Sequence, residues 1–342
     1  MKTNVVRVDN SMDNFEEYQQ AVDRLKSGEV VAFPTETVYG LGAVATDEEA
    51  VAKIFAAKGR PSDNPLIVHI GTKAEVHQYA QPISEAAEQL MDAFWPGPLT
   101  LIFQQIPNQI AKNATPDVRT VGLRMPDHPV ALKLLRALKL PLAAPSANRS
   151  GKPSPTEASH VEKDLAGRIP LILDGGQTGV GLESTVIDMT VTPPAILRPG
   201  GITKEMIEAV IGPVEAAHEI ETKEAPRSPG MKYAHYAPEA PVYIIAADAG
   251  RIHKALKDGQ QQGKKIAVIG PDELKTKDAN WYFSMGQQDN IHIMAMNLYK
   301  ALRQCDTTDA DFILAVETKD TGVGAAFMNR LLKAANGRRY KE

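Results

Sequence analysis

Two different rhythms of strand and helix divide this sequence, and together they restrict the folds open to it. From residue 242 onward the two patterns alternate. Segments 242–246, 265–269, 281–284 and 312–316 read as strands, with helical patterns at 249–260, 290–303 and 324–335. That alternation predicts a small parallel sheet with crossover helices. The earlier part behaves otherwise. Runs rich in β-branched and apolar residues fall at 30–33, 66–70, 99–103, 120–124, 171–173, 185–187 and 195–198. Helical patterns fall at 15–26, 47–58, 84–94, 129–138 and 204–211. Several of these strands follow each other with no helix between. A twisted mixed sheet of α/β or α+β type is therefore expected.

Punctuation supports the same division. Thr46 with Glu49 three residues on reads as a capping box opening the 47–58 helix, and Asp127 before Pro129 as another helix entry. Trp95-Pro96-Gly97-Pro98 is a stop. Between 213 and 240 the chain becomes charged, then proline-interrupted and aromatic, with Tyr233, His235 and Tyr236 in Ser228-Pro229-Gly230-Met231-Lys232-Tyr233-Ala234-His235-Tyr236-Ala237-Pro238. The predicted organisation is a large domain over 1–212, a linker over 213–240, and a small α/β domain over 241–342. A length of 342 residues is more than one core usually spans.

Composition narrows the function classes. A formal net charge of −4 gives no bulk electrostatic drive toward nucleic acid or acidic lipid. Cys305 is the only cysteine, which removes disulfide scaffolds and cysteine-based metal sites, and the histidines show no helix-spaced pair. Residues 1–18 are polar and acidic, unlike a secretory signal, and no apolar run approaches membrane-spanning length. A cytoplasmic enzyme or factor is the expected class.

The chemistry-bearing residues gather at predicted element ends. Val51, Ile54 and Phe55 form an apolar helical stripe whose next member is Lys58. A lysine on an inward face is costly unless something negative meets it. Gly59 can turn the chain left-handed and bring Arg60 to the same side. In 120–124, Val121 and Leu123 share one strand face, leaving Thr120 and Arg124 on the other. Arg60, Arg124 and Arg198 each precede, directly or by one residue, a proline that ends regular structure. Arginines beyond strand ends are natural binders of carboxylate or phosphate, although Glu36, Asp174, Glu183 and Asp188 are available as internal partners. Pro34-Thr35-Glu36-Thr37-Val38-Tyr39-Gly40-Leu41-Gly42 reads as a strand-to-helix loop that lets backbone approach a ligand, and His69 shares a strand face with Ile67. Gly179-Val180-Gly181 fails as a dinucleotide fingerprint because a strand pattern follows it, and the chain contains no P-loop.

Taken together, the nonapeptide from Pro34 to Gly42, Lys58–Ile70, Pro145-Ser146-Ala147-Asn148, Gly181–Asp188, Leu197–Gly200 and the linker motif resemble the threonylcarbamoyl-AMP synthase family in its two-domain form. The resemblance covers essentially the whole chain. It implies a YrdC-like catalytic domain with a mixed sheet, followed by a small Rossmann-like domain. It also implies an enzyme joining L-threonine, bicarbonate and ATP into L-threonylcarbamoyladenylate, with release of pyrophosphate, for the N6-threonylcarbamoyladenosine modification of tRNA. By that resemblance Thr37, His69, Arg124, Ala144 and Ser184 hold threonine. Arg60, Asn64, Thr120, Ser146, Ser154, Arg198 and Tyr236 bind ATP. Lys58 stabilises charge at the carbamate and α-phosphate, with Arg60, Ser146 and Asn148 completing the catalytic group and Tyr236 closing as a lid. Mg²⁺ arrives on ATP, no protein-ligated metal is expected, and downstream tRNA-modifying proteins are candidate partners. Two readings compete: a double-stranded-RNA-binding factor of the same fold, disfavoured by the acidic charge, and a carbamoyl-transfer enzyme.

Overall fold

The computed structural model describes residues 1–8, 15–116, 118–216 and 236–341. Tyr233, His235 and most of the predicted linker lie outside the described residues. The chain forms two compact units, one from 1–150, 155–179 and 183–216, the other from 151–154, 180–182 and 236–341.

The first unit begins with β1 (Asn4–Arg7), α1 (Phe15–Lys26), β2 (Val31–Pro34), β3 (Tyr39–Val44), α2 (Glu48–Lys58) and β4 (Ile67–His69). It continues through α3 (Val76–Tyr79), α4 (Glu85–Phe94), β5 (Leu99–Gln104), β6 (Thr120–Arg124), α5 (Pro129–Leu138) and β7 (Leu142–Ala143). It closes with α6 (Ala158–Leu165), β8 (Leu171–Asp174), β9 (Thr185–Asp188), β10 (Ala195–Arg198), α7 (Lys204–Ile211) and β11 (Glu215–Ala216). The strands form one sheet in the order β1-β8-β2-β3-β7-β4-β6-β5-β9-β10-β11. Its pairings are mixed: β4 runs parallel to β6 but antiparallel to β7, and β5 antiparallel to β6 but parallel to β9.

Alternation along these strands separates two faces. Leu101, Val121, Leu123, Val68 and Ile187 enter one large core with Val51, Ile54 and Phe55 of α2 and Leu90 of α4. On the opposite face, Val31, Phe33, Val44 and Leu142 pack against Val22 and Leu25 of α1 and Leu134 and Leu138 of α5. Farther along that second face, β4, β6, β5 and β9 carry the candidate site.

Local capping differs from the sequence reading at one helix. Asp47, not Thr46, caps α2, its carboxylate accepting from the N–H groups of Glu49 and Ala50 at 2.9 and 3.0 Å. A carboxylate at this position satisfies two orphan donors at once and favours the helix dipole, which a threonine one residue earlier does not reach. α5 begins at Pro129, the expected helix entry, and His128 caps it, its Nδ1 accepting from the N–H of Val130 at 3.2 Å.

The expected strand-to-helix loop after β2 is instead a hairpin. Residues 35–38 turn the chain, and β3 returns antiparallel with Phe33 opposite Gly40 and Val31 opposite Gly42. Gly42, which reads as loop, is required by packing. A β-carbon on Gly42 would stand 2.7 Å from Cε1 of Phe33, which is fully buried. Gly42→Ala is therefore expected to destabilise the chain by about 1–3 kcal/mol, with Gly42→Ala/Phe33→Leu regaining part of the loss in urea unfolding. An unchanged midpoint for the single variant would contradict this packing account.

The second unit contains β12 (Val242–Ile245), α8 (Ala249–Gln261), β13 (Ile266–Gly270), β14 (Trp281–Ser284), α9 (Ile291–Cys305), β15 (Phe312–Val316) and α10 (Val323–Ala334). Its strands are parallel throughout, in the order β12-β15-β13-β14. Residues 151–154 join this unit: Arg303 donates to the Pro153 carbonyl at 2.5 Å, and the Ala237 N–H to the Gly151 carbonyl at 3.0 Å. Cys305 is buried on α9, and that burial pushes its thiol up from its ordinary range, consistent with inert packing.

Candidate active site

The register brings His69 of β4 beside Arg124 of β6, so the two side chains share one sheet face. Gly122 on the same face pairs with Ile67 and Ile102, and Thr100 pairs with Val186. A recess on this face is lined by Ile67, Thr100, Ile102, Thr120, Gly122 and Val186. Gly122 matters because a side chain there would crowd Thr100, 3.3 Å from the position of its β-carbon. Ile67, Ile102 and Val186 form the apolar floor of the recess, and of the residues expected at the site Thr120 alone is among those lining it.

Arg124 is 4% exposed. Its Nε donates to the Gly97 carbonyl at 3.3 Å, and NH2 lies 2.6 Å from Oε1 of Glu36. Internal pairing with an acid is thus real for this arginine, but incomplete. Neither oxygen of Glu36 nor NH2 of Arg124 sits in hydrogen-bonding geometry, although all are shielded from solvent. Nδ1 of His69 is likewise buried without a partner. Burial, reinforced by the nearby Arg124 cation, lowers the His69 pKa to about 3. The ring is therefore neutral near pH 7, a donor–acceptor rather than a charge.

That depression has a sign that can be measured. Between pH 6.5 and about 3 the unfolded chain binds a proton that folded His69 refuses. Its contribution to stability is complete above pH 6.5 and falls as pH drops, by at most about 1.4 kcal/mol per pH unit. His69→Asn should flatten the acid limb of stability against pH, measured by urea unfolding between pH 6.5 and 4.5. An identical slope in both proteins would contradict a buried, proton-refusing imidazole.

Thr37 and Thr35 lie in the 35–38 turn. The Thr35 hydroxyl donates to the Val38 carbonyl at 2.7 Å, so in its 2.8 Å contact with Thr37 the Thr37 hydroxyl is the donor. The lone pairs of Thr37 remain to accept from a ligand. Across the sheet, Ser184 is held at three points. Its Oγ meets the Thr100 hydroxyl at 2.8 Å and NH2 of Arg198 at 3.1 Å, and its carbonyl accepts from Nε of Arg198 at 3.0 Å.

The second cluster forms where α2 ends. Gly59 adopts φ 61°, ψ 38°, and the Arg60 N–H returns to the Phe55 carbonyl at 3.0 Å. Lys58, 3% exposed, does not snorkel to solvent. Its ammonium donates to the Ser146 carbonyl and to the Asn148 carbonyl at 2.6 Å. Ser146 Oγ donates to Oδ1 of Asn148 at 2.5 Å, and the Gly40–Ser146 bridge fixes this segment beside β3. Arg60 reaches the carbonyls of Asn64 and Pro65 at 3.3 and 3.5 Å, while the buried Asn64 keeps Oδ1 without a partner. Ala144, two residues before Ser146, donates its N–H to the Ile67 carbonyl at 3.0 Å. Ser154 and Tyr236 are buried in the second unit, the Tyr236 ring 5.1 Å from that of Tyr299.

Glu36, Thr35 and Thr100 were not singled out by sequence as site residues. Thr100 was open to detection, since it alternates with the core residues Leu99 and Leu101 on a strand. No sequence signal shows which acid Arg124 would choose. Among the described residues there is no group of three His, Cys, Asp or Glu side chains able to hold a metal, and no helix long and apolar enough to cross a membrane.

Comparison with known proteins bears on this constellation. Residues 23–200 match the family described as "Telomere recombination", and residues 202–336 match "Threonylcarbamoyl-AMP synthase, C-terminal domain". The chain is 52% identical to the threonylcarbamoyl-AMP synthase of Bacillus subtilis over 93% of both chains. It is 47% identical to that of Pyrococcus abyssi, again over 93% of each. A crystal structure of P. abyssi Sua5 complexed with L-threonine superposes with a TM-score of 0.93 at 45% identity, covering 99% of this chain and all of that one.

Proposed function

The chain belongs to the threonylcarbamoyl-AMP synthase family, and we propose that it joins L-threonine, bicarbonate and ATP into L-threonylcarbamoyladenylate on the sheet face described above. The observation that supports this most is the convergence of buried groups. Arg124, neutral His69, Thr37 and the Ser184–Arg198 pair share one region of the first unit, with Lys58 held against Ser146 and Asn148.

The reaction crowds negative charge. The threonine amine and bicarbonate give a carbamate and water, a carbamate oxygen attacks the α-phosphorus, and pyrophosphate leaves. Fixed cations in a water-poor site offset the repulsion among carboxylate, carbamate and triphosphate without reorganising. In this reading Arg124 takes the threonine carboxylate, His69, Thr37 and Ser184 orient its remaining polar groups, and the backbone at Ala144 assists. Arg60, Asn64, Thr120, Ser146 and Arg198 receive the nucleotide, and Lys58 with Asn148 meets the charge developing at the carbamate and α-phosphate. Each charge-assisted contact contributes about 1.5–3 kcal/mol, enough for positioning. The nucleotide roles of Ser154 and Tyr236, and the division into a 1–212 catalytic domain, a 213–240 lid and a 241–342 second domain, rest on the family resemblance. Mg²⁺ enters on the triphosphate as part of the substrate. The product would pass, in the cytoplasm, to proteins that modify tRNA.

Pyrophosphate release from ATP tests this reading. It should require both L-threonine and bicarbonate, and a product carrying the bicarbonate carbon should be visible by ¹³C NMR. ATP breakdown indifferent to threonine would overturn it.

A further inference from the structure

We propose that Glu36 is the residue that recognises the α-ammonium group of the amino-acid substrate, so that Glu36 and Arg124 together form a receptor for a zwitterion. The inference rests on the proposed function, because it assigns the substrate's second charge within the same site.

Glu36 lies in the turn between β2 and β3, one residue before Thr37, with its side chain 12% exposed. Oε1 is 2.6 Å from NH2 of Arg124 but out of hydrogen-bonding alignment, and Oε2, equally shielded from solvent, has no partner. A buried pair that served only to stabilise the fold would be expected to fill the lone pairs of Oε2 as well, because leaving a buried acceptor empty costs stability. Oε1 and NH2 face each other, and Oε2 is the acceptor left over. NH2 of Arg124 also lacks hydrogen-bond geometry. A free α-amino acid carries the complementary pair of charges on adjacent groups. Its carboxylate suits the guanidinium, and its ammonium suits an acceptor-only carboxylate.

The neighbours agree with that polarity. Thr37, whose proton is committed to Thr35, also offers an acceptor. His69 is held neutral beside Arg124, its pKa lowered to about 3 by burial and that cation, and His128, the imidazole close enough to feel Glu36, has its pKa lowered by burial. The site thus discriminates by charge pattern. Arg124 alone would take any small carboxylate, whereas the pair favours one bearing an unblocked amine.

Calorimetric titration of the full-length chain with L-threonine and with 3-hydroxybutyrate, the same skeleton without the amine, tests this. Wild type should favour threonine by about 10- to 100-fold. Glu36→Gln should weaken threonine by a similar factor while leaving 3-hydroxybutyrate within about twofold, and Glu36→Asp should keep most of the preference. Equal weakening of both ligands would make Glu36 a mere brace for Arg124 and overturn the proposal. So would an unchanged threonine affinity. Should Glu36→Gln fail to fold, the wild-type preference and its retention in Glu36→Asp still decide, and equal wild-type affinities would refute the assignment. Failure of wild type to bind threonine at all would instead strike the proposed function.

Discussion

Arg124→Ala is expected to abolish measurable threonine binding and to lower stability by about 3–5 kcal/mol. The two losses have different causes. Binding fails because the cation assigned to the substrate carboxylate is gone. Stability falls because Glu36, 2.6 Å from that guanidinium and shielded from water, is left as an uncompensated buried charge. The double variant Arg124→Met/Glu36→Leu separates them. It should recover most of the stability in urea unfolding, since replacing both partners of a buried pair by apolar side chains of similar volume is often nearly neutral, yet still not bind threonine. If the double variant unfolds as readily as the single one, the stability account is wrong. Threonine affinity within threefold of wild type in Arg124→Ala would remove this arginine from the site.

Lys58→Ala should reduce threonine-dependent pyrophosphate release by about 10²–10³-fold, the scale seen when one preorganised charge-stabilising donor is deleted. Lys58 is the last residue of α2, buried, and aimed by the carbonyls of Ser146 and Asn148. Those carbonyls lose their partner in the variant, so a stability loss of about 1–3 kcal/mol should accompany it. Threonine binding, carried by the other cluster, should change little. This split distinguishes a role in the chemical step from general damage. Wild-type turnover in a folded Lys58→Ala protein would exclude Lys58 from the mechanism.

How far the sequence reveals this site depends on the range of the forces involved. Alternation along 120–124 shows which face Thr120 and Arg124 occupy, because a strand's period of two leaves Val121 and Leu123 no other place than the core. The left-handed stop at Gly59 is equally local, and the observed φ of 61° follows from the missing β-carbon. What is not local is harder to read. Gly40 and Gly42 signal a loop, yet they lie within a strand, and at Gly42 Phe33 occupies the space a side chain would need. The strands at 142–143 and 215–216 are two residues long and exist only through their neighbours. Lys58 can be placed on an inward face by helical spacing. That its ammonium ends on Ser146 and Asn148, some ninety residues away, is a product of tertiary packing. Glu36 is likewise one of several acids in the sequence, and only the folded chain selects it for Arg124.

A crystal structure of this chain with L-threonine and a non-hydrolysable ATP analogue tests the central claim most directly. The threonine carboxylate should lie on Arg124, on the sheet face carrying His69 and Ser184, with triphosphate density between the Lys58–Arg60 turn and Ser146. Ligand density elsewhere, with Arg124 still closed on Glu36 and Lys58 still on the Ser146 and Asn148 carbonyls, would contradict it.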